Sequence, residues 1–142
     1  MWDWLAFGAA PRPGDRAPDV VYGDGDRLHD TLRGPWHTLL LFDGAAPTAE
    51  GYRNLRAIAN QVFRRYGERI RSHIVVPRGA RPRELADYDD SVLLDPGGRL
   101  HERSGAGSEC LYLIRPDGHV GCRSQPATFD PLLGCPPRIL RG

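Results

Sequence analysis

A chain of 142 residues, 40% of them hydrophobic and 26% charged, is long enough to close one core of its own and too short for a second full domain. Nineteen basic against eighteen acidic residues leave a formal net charge of +1, which supplies no net field to attract nucleic acid or an anionic membrane. Every basic residue is arginine, so Schiff-base, phosphate-loop and general-base chemistry that needs a lysine is excluded.

No apolar run reaches the roughly 18 residues of a membrane span. The start Met1-Trp2-Asp3-Trp4 lacks the basic residues of a signal peptide, and a cytoplasmic chain is expected. Cys110, Cys122 and Cys135 are too few for a secreted disulfide framework, and no C-x-x-C occurs. The histidines at 29, 37, 73, 101 and 119 stand singly, without metal-ligand spacing, so no metal site is expected.

In chain order, Trp2, Trp4, Leu5 and Phe7 form an aromatic knot, joined to the rest by the Pro/Gly segment 8–14. Residues 1–10 are therefore expected to be an appendage and 11–142 the domain. The knot has two readings: an interface with another surface, or packing back on the chain's own sheet. Asp19 to Tyr22 reads as a brief strand closed by a turn at 23–26, and Leu28 to Leu32 as one helical turn. Trp36 to Phe42 is the strongest strand, because Leu39-Leu40-Leu41 is apolar on consecutive positions, as in a strand covered on both faces.

Thr48 is placed to cap a helix that Gly67 ends, with Tyr52, Leu55, Ile58, Ala59, Val62, Phe63 and Tyr66 recurring every three or four residues as its packed stripe. Ile70 to Val76 is the next strand, and the short loops favour parallel pairing through a right-handed crossover. A short helix over 82–88 and a strand over 91–94 follow. Cys110 to Ile114 and His119 to Arg123 flank Arg115-Pro116-Asp117-Gly118, a turn sequence that predicts an antiparallel hairpin. Residues 126–142, interrupted by prolines, are expected to form a broken helix capping the sheet.

Periodicity by itself reaches an α/β sandwich; strand, helix, strand, hairpin and closing helix is the layout of the thioredoxin fold, with a central mixed sheet flanked by helices. Gly14-Asp15-Arg16-Ala17-Pro18-Asp19-Val20, followed by Gly25, Leu28-His29-Asp30, Leu32 and Arg33-Gly34, resembles the G-x-x-A-P-D opening of peroxiredoxins, thioredoxin-like reductases and the C-terminal domain of FAD-dependent aromatic hydroxylases. The run Leu111 to Ser124 resembles the last group's L-V-R-P-D-G-x-V-A-W-R hairpin, and the resemblance spans roughly residues 12–133. It implies a non-catalytic thioredoxin-like module, acting in dimer contacts, packing or docking to a flavoprotein monooxygenase. FAD would belong to the longer parent enzyme, with no cofactor in this chain. The absence of a G-x-G-x-x-G turn agrees with that expectation.

A thioredoxin-type thiolate belongs at the N-terminus of the long helix, where unpaired N–H groups lower a cysteine pKa. Here that position reads Gly44-Ala45-Ala46-Pro47-Thr48, and Glu109 stands where such folds place a proline ahead of the hairpin. These six residues form a degenerate groove, expected to be redox-inactive, with small aromatic or polyketide ligands as an alternative occupant and a divergent thiol oxidoreductase as a further one. Cys110 and Cys122 lie on the two arms of one hairpin, where a cross-strand disulfide needs a directly opposed register. The expected roles are bland for the carboxylates of 87–90 (a solvated loop), for Arg64, Arg65, Arg69 and Arg71 (a hydrated face without interleaved aromatics), and for Asp26, His29 and Asp30 (a capping cluster).

Overall fold

The computed structural model describes residues 14–17, 19–22, 25–44, 48–77, 79–86, 88, 91–104, 106 and 110–124. The aromatic knot, the remainder of the appendage and the expected C-terminal helix lie outside these residues. The strands are β1 (Val21–Tyr22), β2 (Asp26–Arg27), β3 (His37–Phe42), β4 (Ile70–Val76), β5 (Ser91–Leu94), β6 (Cys110–Ile114) and β7 (Val120–Ser124). The helices are α1 (Leu28–Leu32), α2 (Ala49–Tyr66) and α3 (Arg99–Arg103), with single 3-10 turns at Gly67–Arg69 and Arg83–Leu85. The main sheet runs β5-β4-β3-β6-β7; β3, β4 and β5 are parallel, while β6 and β7 are antiparallel to their inner neighbours. This mixed five-stranded sheet flanked by helices is the expected thioredoxin-like α/β fold.

The consecutive leucines of β3 explain its central place. Leu39 and Leu41 pack against Tyr52, Leu55, Ile58 and Val62 of α2, while Leu40 and Phe42 face Leu28, Leu32 and Leu100 on the other side. All four are at most 1% exposed. Burying each apolar side chain contributes roughly 1.5–3 kcal/mol, which only a strand covered twice can collect on every residue. Helix α2 begins where Thr48 Oγ1 accepts from the Gly51 N–H at 2.9 Å, and ends at Gly67 with φ 61°. One member of the expected stripe departs from it: Phe63 is 57% exposed, while Leu55, Ile58, Ala59 and Val62 form the buried face of α2.

Two further details differ from the sequence expectation. Asp26, read as the last residue of a turn, joins Arg27 in pairing antiparallel with β1 to make a small separate ribbon. The second hairpin arm starts at Val120, not His119, and the pairing shifts register between Leu113 and Ile114. Among the described residues, no helix is long and apolar enough to cross a membrane.

The opening segment and the hairpin form one hydrogen-bonded unit. Gly14 N–H donates to Val120 O at 2.8 Å, Ala17 N–H to Gly118 O at 2.8 Å, and Val120 N–H to Asp15 O at 2.7 Å. The two sequence motifs thus serve a shared local structure, in which Gly118 takes φ 85° to close the turn.

Candidate functional site

Strands β3, β4 and β5 end at one edge of the sheet, and in open α/β sheets ligand-handling groups gather beyond those carboxyl ends. Asp43 and Gly44 leave β3 there, and Thr48 starts α2 beside them. The Asp43 carboxylate accepts from the Thr48 N–H at 2.7 Å. Burial raises its pKa above the ordinary carboxylate value, against the opposing pull of its two hydrogen bonds from Thr48. Gly44 is buried with φ 109°, a backbone region that a side chain would strain.

The space for Asp43 is made by Gly51. A Cβ at position 51 would overlap the Asp43 carboxylate. Gly51→Ala is therefore expected to destabilise the protein by roughly 1–2 kcal/mol, although the same change in an unobstructed helix gains about 1 kcal/mol. Urea unfolding of Gly51→Ala and of Gly51→Ala with Asp43→Ala checks this; the second variant should recover stability, and a gain from Gly51→Ala alone would contradict the crowding.

Of the expected groove residues, Gly44 and Thr48 are at this edge, while Ala45, Ala46, Pro47 and Glu109 lie outside the described residues. Cys110 reaches the same edge, paired opposite Phe42 at the start of β6. It forms no disulfide and is 0% exposed. It shares a face with Tyr112, whose hydroxyl donates to Ser104 O at 2.6 Å; burial, with Cys110 beside it, keeps that hydroxyl protonated well above the usual range. Cys122 is opposite Leu113 and packs in the α2-side core, so it faces away from Cys110. A disulfide between the two hairpin arms is thereby excluded, and Cys122 is instead disulfide-bonded elsewhere.

Sequence reasoning missed a buried pair at this edge. Asp95, just after β5, accepts from His101 Nδ1 at 2.8 Å and from the His101 backbone N–H at 3.0 Å through one oxygen. Desolvation pushes the Asp95 pKa up, but its hydrogen bonds from His101 and Leu100 hold it below the ordinary value. The His101 ring packs edge-on to Phe42 with centroids 5.0 Å apart. Asp95 Oδ1 and His101 Nε2 are buried without hydrogen-bond partners. The signal available was an aspartate ending a strand just ahead of a short helix that carries a histidine in its first turn.

The remaining constellations rearrange. His29 Nε2 donates to Ala17 O at 2.9 Å and its Nδ1 lies 3.9 Å from Asp19, whereas Asp30 pairs with Arg33 at 3.1 Å, so His29 and Asp30 turn to different partners. In the 87–90 stretch only Tyr88 is described, and it is buried. The arginine face does carry aromatics: Arg65 and Arg69 lie over Tyr66 at 5.7 and 5.6 Å, and Arg71 over Trp36 at 3.7 Å. Only the Arg71–Trp36 stack joins residues far apart in sequence; Tyr66 stands between Arg65 and Arg69 in the chain and was read only as part of the packed stripe of α2. Among the described residues, no three His, Cys, Asp or Glu side chains gather as a metal site would require.

No family model matches the sequence, and no curated protein is similar enough to count as a relative. Solved structures do match. A Chlorobium tepidum protein described as a thiol:disulfide interchange protein DsbE shares 20% identity with a TM-score of 0.63, covering 93% of this chain and 92% of its own. A thiol peroxidase from Chromobacterium violaceum gives 14% identity and 0.63 over 81% and 76%, and the peroxidoxin BcpB of Mycobacterium tuberculosis 18% and 0.58 over 80% and 85%. This likeness establishes the thioredoxin-like fold.

It also corrects the hydroxylase resemblance. The similar structures are thiol–disulfide and peroxide-handling proteins, not C-terminal domains of FAD-dependent monooxygenases, so the redox-inactive module with a flavoprotein parent loses its support. The physical reason is the hydrogen-bonded unit described above. Both motifs that suggested the hydroxylase group are the two halves of one contact between the opening segment and the hairpin turn, and they report that contact, not a parent enzyme.

Proposed function

We propose that the chain is a thioredoxin-fold thiol–disulfide protein whose exchange chemistry resides at the disulfide of Cys122, not at the tip of α2. The observation that carries this reading is the division of oxidation states: Cys122 is disulfide-bonded, whereas Cys110 is buried and outside any disulfide. Between Asp43 and Gly51, where a helix N-terminus would activate a thiol, the sequence holds no cysteine. Besides Cys110 and Cys122 the sequence holds one further cysteine, Cys135. Cys122 sits on β7, the outer strand of the main sheet among the described residues, with its side chain buried at 4% exposure. The sulfur chemistry named for the similar structures supports the same direction.

The exchange balances as follows. A thiolate of a substrate dithiol attacks the sulfur bonded to Cys122, and Cys122 leaves as a thiolate that takes a proton. The substrate's second thiol then displaces that partner sulfur, so the substrate departs as a disulfide and two thiols remain where the disulfide was. Two electrons and two protons have passed to the protein.

Equilibration of the full chain with dithiol buffers, followed by alkylation and mass spectrometry, tests the reading. The expected midpoint lies above about −300 mV, the range of exchangeable disulfides, and insulin or a model dithiol should exchange with the chain. Cys122→Ser and Cys135→Ser should each abolish exchange, and Cys110→Ser should preserve it. A midpoint below about −300 mV, or exchange that survives both substitutions, would overturn the proposal.

A further inference from the structure

At the opposite edge of the sheet, the amino ends of β3 and β4 carry a groove that the disulfide chemistry does not use. The Trp36 indole lies against Gly34, where a Cβ would overlap the ring, and the Arg71 guanidinium lies flat on it with its central carbon 3.7 Å from the ring centroid. The indole is thereby wedged and the guanidinium held in a single plane. Among the described residues, no hydrogen bond or ion pair engages the Arg71 guanidinium.

Arg71, Trp36, Arg69, Pro35 and Pro116 line a cavity of about 630 Å³. That volume falls within the roughly 300–1,000 Å³ of small-molecule sites. A second cavity of about 360 Å³ shares Arg71 and Glu68 with the first and extends to the exposed ring of Phe63. Arg69 is held in turn, its Nε donating to Tyr66 O at 3.4 Å while its head lies over the Tyr66 ring. Glu68 lines both cavities, so two positive charges face one negative charge.

We propose that this groove binds a small carboxylate with a flat apolar body, the carboxylate taken by the stacked Arg71 fork and the body lying against Pro35 and Pro116. The planar guanidinium matches a carboxylate with two parallel N–H···O bonds, and a fork already immobilised on an indole loses little entropy when it binds. A phosphate dianion suits the groove less, because it brings a second charge toward Glu68 and leaves the apolar walls uncovered.

Titration of the full chain by calorimetry tests the proposal with benzoate, its neutral isostere benzamide, and inorganic phosphate. Benzoate should bind saturably, with benzamide and phosphate each weaker by about tenfold or more. Arg71→Met should weaken benzoate by about tenfold while leaving the melting curve cooperative. Arg71→Lys keeps the charge without the fork and should also lose affinity, which keeps the test decisive if the Met variant unfolds. Equal binding of benzoate and benzamide, phosphate binding as tight as benzoate, unchanged affinity in Arg71→Lys, or no saturable benzoate binding below on the order of 10 mM would each overturn it.

Discussion

Acidification from pH 7 to pH 4 should remove about 3 kcal/mol of folding stability through one side chain, His73. His73 sits on β4 between Leu40 of β3 and Ser91 of β5, and both its ring nitrogens are shielded from solvent without a hydrogen-bond partner. Burial, and then the nearby Arg71 charge, lower its pKa from 6.5 to about 4. Between those values the unfolded chain binds a proton that the folded protein refuses. The contribution is therefore complete above pH 6.5 and is lost as pH falls toward 4, at about 1.4 kcal/mol for each pH unit. Asp43 acts with the opposite sign: its raised pKa means that stability declines as pH rises through that value. The difference between the wild-type protein and His73→Phe isolates the histidine. Urea unfolding at intervals from pH 4 to 7 should show a steep rise in the first and a flatter profile in the second; parallel profiles would show that the ring is not excluding its proton.

Asp95→Ala should destabilise the protein by about 3 kcal/mol, a fall in melting temperature of roughly 10 °C. Asp95 is 1% exposed and satisfies both the ring and the backbone N–H of His101, itself 5% exposed. Removing the carboxylate strands two buried donors, and the truncated side chain leaves a void behind Phe42. His101→Phe alone should also be costly, since it leaves a buried carboxylate with only backbone partners. Combining Asp95→Leu with His101→Phe should cost much less than the two single changes added together, because the pair then leaves together and the new ring keeps the edge-on contact with Phe42. Thermal melting of the wild-type protein, Asp95→Leu, His101→Phe and the double variant checks this, and additive losses would mean that the two side chains are not coupled.

Most elements were legible because their causes are local. Thr48 and Gly67 bound α2 through interactions within a few residues of themselves, and β4 and β5 occupy the residues expected from their apolar runs. The triple leucine of β3 announced a strand covered on both faces, and the turn residues at 115–118 announced the hairpin. The candidate site was less legible. Gly44 and Thr48 could be placed from the long helix that follows them, but the Asp43–Gly51 fit depends on how α2 lies against the end of β3. The Asp95–His101 pair depends on α3 folding back beneath Phe42, and neither residue type declares a partner six positions away.

The motifs misled in an instructive way: the opening segment and the hairpin lie about a hundred residues apart and looked like two independent signatures, yet they meet in one hydrogen-bonded contact. By itself, the chain's sequence determined the order, type and approximate ends of its elements and the lack of a thiol at the tip of α2, since capping, turn geometry and hydrophobic period act over short separations. Only the tertiary structure decided that Cys110 and Cys122 face opposite sides of the sheet, that Arg71 lies on Trp36 and that Asp95 holds His101. Each of these follows from strand register or from packing between distant segments, and such contacts leave no periodicity in the sequence from which to read them.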